Sequence, residues 1–354
     1  MPELVILWTD GLILLLLVLA TAFALYARRY EHMRAPWGKV VRSRIGVATL
    51  VVLSAYVTIG LLDSVHFRAT DSKGVESGEV LSLFDLVAEP LRSRQEKTYS
   101  APLALHLYAK ESIEQPDGST IRDYPRLKHA GMHLQDDQSV TADQVGLIML
   151  GAVQGILIWA ALVVLLVLST APRSDFKKRL GQLFSGRTEI PWRTALLTLG
   201  LLLLLVGATW QLALNYHLLG TDKVGEDVFY QVLKSIRTGL VIGTLTTLIM
   251  LPAALLLGMM AGYFRGWIDD LIQYLYTTLN SIPGVLLIAA AVLMLNLYMD
   301  NNADQFNSLV ERADLRLLFL CLILGVTSWT GLCRLLRGEA LKLRELDYVQ
   351  AAQA

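Results

Sequence analysis

Arg337 to Ala354, RGEALKLRELDYVQAAQA, crowds acids, bases and small side chains directly behind an apolar run, Leu315–Leu336. Its candidate functional residues are Glu339, Arg344, Asp347, Tyr348, Gln350, Ala351 and Ala352. The chemistry such a set supports is docking and not bond-making. Leu343, Leu346, Val349 and Ala352 recur every third residue and share one helix face, and Glu339, Lys342, Arg344, Glu345 and Asp347 take the others. Asp347 with Gln350 three positions later is a variant of the capping box, which predicts a second short helix starting there. That helix presents Ala351, Ala352 and Ala354, side chains small enough for a partner to come close. By periodicity alone the same stretch also reads as a solvated amphipathic helix leaving a membrane.

Other reactive groups point away from catalysis. The sequence has no GxxxxGK[ST] phosphate loop, no GxSxG elbow and no acid pair at an enclosed position, so the chain is not expected to hydrolyse ATP or to be an enzyme. His129 and His133 lie four apart and could be drawn with His106 as a metal site, but no Cys or HExxH pattern accompanies them. They read as surface histidines. Cys321 and Cys333 are the two cysteines. Twelve residues of helix separate them by about 18 Å, too far for a disulfide, so they read as packing residues.

Composition sets the elements that must hold these residues. Hydrophobic residues are 54% and charged residues 18%, and the mean hydropathy is +0.49. This is an integral membrane protein. Net charge is zero, so no nucleic acid or other bulk electrostatic partner is implied. Leu12–Ala27 is apolar, with Glu3 and Asp10 before it and Arg28 and Arg29 after it. A secretory signal has the reverse polarity, which favours a retained span with its N-terminus outside over a cleaved leader. Arg28 to Arg44 holds six basic residues against Glu31 and is cytoplasmic by the positive-inside rule. Ile45–Leu62 crosses outward. Asp63 to Gln144 carries fourteen acids against nine bases, a net charge of −5, and is too long for a bare connection. Within it, Leu81–Leu91 and Leu103–Ile113 have helical spacing and Gln115 to Gly118 is a turn signal.

Val145–Thr170 returns inward, and the basic Ala171–Arg193 has an amphipathic character from Phe176, Leu180 and Leu183. Thr194–Leu214 spans outward. Gly220–Arg237 follows as an external turn, with Asp227 opening an amphipathic helix. Thr238–Tyr263 crosses inward with Pro252 in its middle, and Tyr263–Asp270 is a short cytoplasmic turn. Leu271–Met299 goes out, broken at Asn280 to Gly284, and Leu317–Leu336 comes back in. A Pro-Gly break at membrane depth implies backbone that lines a bundle or a path. Ser281, Pro283, Thr327, Ser328 and Thr330 are therefore candidates for a translocation path, or helix-packing groups. The middles of the spans lack the ionisable groups that an ion-coupled mechanism needs. The fold class is all-α, a polytopic helical membrane protein of about seven spans.

Gln350-Ala351-Ala352, with Leu343-Arg344-Glu345 and Asp347-Tyr348-Val349 before it, resembles the cytoplasmic EAA loop of ABC-importer permeases, nearest to the C-type permease of dipeptide, oligopeptide and nickel importers. Three further stretches agree in the family's order: Gly220-Thr221-Asp222 with Gly225 and Asp227; Gly262-Tyr263-Phe264-Arg265-Gly266; and Ser281-Ile282-Pro283-Gly284. The resemblance covers about residues 195–354. It implies a permease-type helix bundle over 194–354, and leaves 1–193 as an N-terminal extension with three spans and the large 63–144 loop. Gln350 stands where the motif usually has Glu, and the sequence ends before the glycine and the two final spans the family leads one to expect. The implied function is a permease subunit of a binding-protein-dependent importer of short peptides in the bacterial inner membrane. The implied partners are a second permease, two cytoplasmic ATPase subunits that hold ATP and Mg, and a periplasmic substrate-binding protein, with no cofactor in this chain. Arg337–Ala354 would receive the ATPase. Gly220, Thr221, Asp222, Gly225 and Asp227 would form an outer gate or receptor-docking face. A membrane sensor or scaffold acting through the 63–144 loop, or a permease fragment, are the alternatives.

Overall fold

The structure, a computed structural model, describes residues 3–70, 76–114, 120–134, 139–170, 176–185, 189–302 and 309–353. The turn signal at Gln115–Gly118 and the final Ala354 lie outside them. From the N-terminus run β1 (Glu3–Val5), α1 (Trp8–Ala27), α2 (Glu31–Arg42), α3 (Arg44–Asp63), β2 (His66–Thr70), β3 (Glu76–Ser82), α4 (Leu83–Val87) and α5 (Glu89–Arg92). The pair β4 (Glu111–Glu114) and β5 (Thr120–Asp123) precedes α6 (Val140–Thr170), α7 (Phe176–Ser185) and α8 (Trp192–Ala213). The remaining elements are α9 (Val228–Phe264), α10 (Trp267–Ser281), α11 (Gly284–Asn301), α12 (Leu309–Arg344) and α13 (Asp347–Gln353). Among the described residues, seven helices are long and apolar enough to cross a membrane: α1, α3, α6, α8, α9, α11 and α12. Lipid offers no hydrogen-bond partners, so long apolar runs close their backbone bonds internally, as helices.

The chain folds as two compact units, one of Met1–Val18, Ser64–Leu81 and Arg237–Ala354, the other of Leu19–Asp63 and Ser82–Ile236. In the first unit, β1 pairs antiparallel with β2, Leu4 opposite Phe67. The core here is built by Ala254 and Ala261 of α9, Ile272 and Tyr276 of α10, and Trp329 and Cys333 of α12. Cys321 is buried with Val241 and Leu245, and both cysteines are free thiols. In the second unit α6 and α8 cross closely. A Cβ on Gly151 would lie 2.2 Å from Gly207 O, so two glycines let the backbones touch. Val163, Val167, Leu183 and Leu196 fill the space beside that crossing, which seats the amphipathic α7.

Several expectations change. Leu103–Ile113 is not helical. Its backbone bonds go elsewhere: Leu103 N–H donates to His217 O at 3.0 Å and Leu107 N–H to Pro125 O at 2.8 Å. Such distant partners override weak local periodicity. Leu81–Leu91 does become helix, as the short α4 and α5, with a capping box between Ser82 and Asp85. The basic Arg28–Arg44 stretch, for which the sequence carries only a charge signature, holds the twelve-residue α2.

Asp227 caps a helix as expected, accepting from Phe229 N–H at 2.8 Å and Tyr230 N–H at 3.3 Å. That helix, however, is the start of α9 itself, which runs unbroken through Pro252 to Phe264. Its 37 residues extend about 55 Å, well beyond a hydrocarbon core of about 30 Å. Leu271–Met299, expected as one interrupted span, is two helices. Ile282 is extended, Pro283 precedes the first turn of α11, and α11 is the part long and apolar enough to cross. The turn expected at Tyr263–Asp270 narrows to Arg265 and Gly266, both left-handed, with φ 54° and 62°.

Candidate functional site

The charged stretch after Leu336 begins inside α12, which continues to Arg344, and α13 follows from Asp347. Leu346 O accepts from Gln350 N–H at 3.1 Å, so Leu346 occupies the cap and Asp347 lies in the first turn, where its charge suits the helix end. The expected Asp347–Gln350 capping box is therefore not formed, since the cap falls one residue earlier, on a leucine whose side chain cannot cap. Tyr348 is 67% exposed, and Asp347, Gln350 and Ala351 are exposed as well. The side chain of Ala352 is outside the described part. Glu339 pairs with Lys342 across one turn at 2.7 Å on an exposed face. Leu343 and Leu346, which share one helix face, are also exposed.

Three contacts fasten this stretch to the α9–α10 corner. Arg337 donates to both carboxylate oxygens of Asp269, Nε to Oδ1 and Nη2 to Oδ2, each at 2.6 Å. This fork-to-fork geometry fixes direction as well as distance, and the Arg337 hydrogen bonds hold the Asp269 carboxyl below its usual range. Arg344 Nη1 donates to Tyr263 O at 3.0 Å, and Arg265 Nη2 to Glu345 Oε1 at 2.6 Å. The backbones meet because Gly262 has no side chain: a Cβ there would lie 2.5 Å from Ala340 Cβ and 2.9 Å from Arg337 O. Gly262 and Arg265 belong to a stretch singled out by resemblance alone. Nothing local in the sequence marks Asp269 as the partner of a residue 68 positions on.

The 220–227 loop is organised by two glycines. Gly220 and Gly225 have φ 77° and 83°, and Cβ atoms there would lie 2.3 Å from Ser100 O and 1.9 Å from Glu96 O. Glycine is needed here both for the turn and for the close approach of residues 96–100. Thr221 donates from N–H to Ser100 Oγ at 3.1 Å and from Oγ1 to Thr98 O at 2.7 Å. Asp222 Oδ1 accepts from Val224 N–H and Glu226 N–H, both at 2.9 Å. Buried beneath, His217 Nδ1 faces Asp227 Oδ2 at 2.7 Å and its Nε2 faces Glu96 Oε1 at 3.4 Å. Glu96 also accepts from Lys128 N–H and His129 N–H, at 2.9 and 2.7 Å. Glu96 and His217 had no sequence signal, because they are 121 residues apart. Of the surface histidines, His106 and His133 are exposed, and His133 faces Asp143 at 2.9 Å.

Below this loop Lys234 Nζ binds both oxygens of Asp85, at 2.6 and 2.8 Å, and Tyr230 O–H donates to Oδ1 at 2.6 Å. Burial pushes the Asp85 carboxyl up, but the Lys234 and Tyr230 hydrogen bonds outweigh it and hold the group below the usual range. A carboxyl lowered in the folded state stabilises above its unfolded value and loses that contribution as pH falls through the folded one. The pair is therefore expected to survive acidification from pH 7 to about 4 and to fail below that. Asp85→Asn should cost about 1–3 kcal/mol at pH 7 and remove part of the acid limb. Thermal unfolding in detergent from pH 7 to 3 measures both, and parallel acid limbs for variant and parent would refute the role.

The expected path residues are only partly gathered. Thr330 is buried and donates to Asn280 Oδ1 at 2.9 Å, tying α12 to the end of α10. Thr327 bonds back to Ile323 O, Ser281 bonds to Thr278 O and is exposed, and Ser328 is exposed. Pro283 sits in the break before α11.

Residues 254–354 match the family described as binding-protein-dependent transport system inner membrane component. The glutathione transport system permease protein GsiD of Pectobacterium atrosepticum is 29% identical over 138 residues, 39% of this chain and 40% of that protein. The oligopeptide transport system permease protein OppC of Mycobacterium tuberculosis is 28% identical over 137 residues, 39% of this chain and 42% of OppC. The dipeptide transport system permease protein DppC of Bacillus subtilis is 26% identical over 137 residues, 39% of this chain and 37% of DppC. The chain spans about two fifths of the length of these curated relatives. With seven helices among the described residues long and apolar enough to cross a membrane, it is a multi-pass helical membrane protein whose residues 254–354 are similar to the inner membrane component of binding-protein-dependent transport systems.

Proposed function

We propose that the chain is a permease subunit of a binding-protein-dependent ABC importer that moves short peptides across the bacterial inner membrane. Force comes from separate ATPase subunits, which hold ATP and Mg. The observation that carries this reading is the fastening of Arg337–Gln353 to the α9–α10 corner by Arg337–Asp269, Arg344–Tyr263 O and Arg265–Glu345. A docking segment transmits movement only if it is tied to the spans it must move. Exposed Tyr348, Gln350 and Ala351 on α13 offer the ATPase a surface with little side-chain bulk at the alanine. The N-terminus and the outer loop share the periplasmic side, a reading supported by the pairing of β1 with β2, and the C-terminal stretch is cytoplasmic. A second permease completes the path, and a periplasmic binding protein selects the substrate and docks at Gly220–Asp227.

Ala351→Trp is expected to cut peptide uptake at least tenfold and to abolish co-purification of the ATPase, with membrane insertion unchanged. Unaltered uptake by that variant would refute the coupling role.

A further inference from the structure

We propose that the corner between α1 and α2 binds one anionic phospholipid, its phosphate held by Arg28 and Arg34 and the upper part of one acyl chain lying against Ala20, Phe23, Ala24 and Trp37. These six residues line a single groove of about 350 Å³. The groove is at the right depth for a headgroup. The apolar α1 ends at Ala27, and Arg28 and Arg29 follow at once, so the groove runs from hydrocarbon to interface.

Its two walls differ in chemistry in the way a phospholipid does. Ala20 and Ala24 are one turn apart on α1 and leave a furrow, beside which Phe23 is 56% exposed. Across it, α2 places Met33, Trp37, Val40 and Val41 within an arc of about 100°. Arg34 stands at the edge of that arc, and Lys39 and Arg42 are on the polar side. A helix of this kind lies in the interface plane. Trp37, 61% exposed, is the residue type that settles at headgroup level.

Charge decides the class of lipid. Among the described residues, neither the Arg28 nor the Arg34 side chain has a hydrogen bond or ion pair, whereas Arg42 already faces Glu189. The stretch from Arg28 to Arg44 has six basic residues and Glu31, an excess of five positive charges. A guanidinium pair at the mouth of an apolar furrow matches a phosphodiester with no compensating cation. A zwitterionic headgroup brings its own ammonium and gains less. The proposal is independent of the permease reading.

The test uses the full chain in detergent and native mass spectrometry, with phosphatidylglycerol against phosphatidylcholine of the same acyl chains. One phosphatidylglycerol is expected to stay bound, with at least tenfold preference over phosphatidylcholine, and millimolar inorganic phosphate should not displace it. Arg28→Gln with Arg34→Gln should lower that binding at least tenfold. Arg29→Gln with Lys39→Gln removes the same charge outside the groove and should change it less than twofold. Ala24→Trp fills the furrow without altering charge and should also displace the lipid, which keeps the proposal testable if the double Arg variant does not insert. Equal losses in the two double variants would reduce the effect to diffuse attraction and overturn the site. So would equal binding of the two lipids, displacement by free phosphate, or retention in Ala24→Trp.

Discussion

Arg237→Ala should destabilise the protein by about 3–5 kcal/mol, because it leaves buried carboxylates without their cation. Arg237 Nη2 reaches Asp10 Oδ1 at 2.5 Å and Thr9 Oγ1 at 2.9 Å, with Nε 3.2 Å from Asp10 Oδ1 and Asp314 Oδ1 3.7 Å from Nη2. Thr9 donates to Asp314 through both its backbone N–H, at 3.0 Å, and its hydroxyl. His66 Nδ1 meets the other oxygen of Asp10 at 2.8 Å. Asp10 is 1% exposed, so water cannot replace the lost donors. Arg237→Lys should be intermediate, since an ammonium cannot reproduce the two-nitrogen approach to Asp10 and Thr9. Arg237→Met combined with Asp10→Asn should recover part of the loss, as removing both charges is far less costly than stranding one. Thermal midpoints in detergent measure all three, and a loss under 1 kcal/mol for Arg237→Ala would sink the account.

This network also shows why the sequence was legible in some places and opaque in others. The seven apolar runs, the cap at Asp227, the turn glycines Gly220 and Gly225, and a short helix from Asp347 all follow from local rules of polarity, capping and left-handed backbone. The Thr9–Asp10–Arg237–Asp314 cluster follows from none. Its bonds join residues 227 and 305 positions apart, and each member alone looks like an ordinary flank of an apolar run. Reading the middles of the spans as uncharged overlooked their ends. α9 and α12 each run about 25 Å past the hydrocarbon thickness, and the overhanging turns carry Arg237 and Asp314. Leu103–Ile113 failed in the opposite way. Its period was helical, but its N–H groups had better partners at His217 and Pro125 than along the segment itself. Beside Arg337–Gln353, the resemblance pointed to Gly262 and Arg265 without a reason, and the structure shows their contact with α12.

Gly262→Leu is expected to lower uptake by tenfold or more while the protein still inserts and folds. The nearest atoms to a Cβ at this position are Ala340 Cβ at 2.5 Å, Arg337 O at 2.9 Å and Leu341 N at 3.3 Å. Two of the three are backbone, which cannot swing aside, so α9 and α12 must separate. Overpacking of this kind costs about 1–3 kcal/mol, too little to unfold a bundle whose other contacts are intact. The separation acts where Arg337–Gln353 is fastened. It draws Tyr263 O away from Arg344, and it lengthens the reach of Arg337 to Asp269, whose 2.6 Å bidentate contact tolerates little displacement. On the permease reading, docking would then continue but the pull on α10 would be weakened, so ATP hydrolysis should persist while peptide uptake falls. Gly262→Ala should show a smaller loss of the same kind. Adding Ala340→Gly should relieve the Cβ–Cβ contact and restore part of the transport, though Arg337 O keeps the fit tight. Uptake and hydrolysis measured together on the reconstituted complex distinguish this from simple misfolding, in which both would fall. Undiminished uptake by Gly262→Leu would mean that the α9–α12 contact does not carry the force.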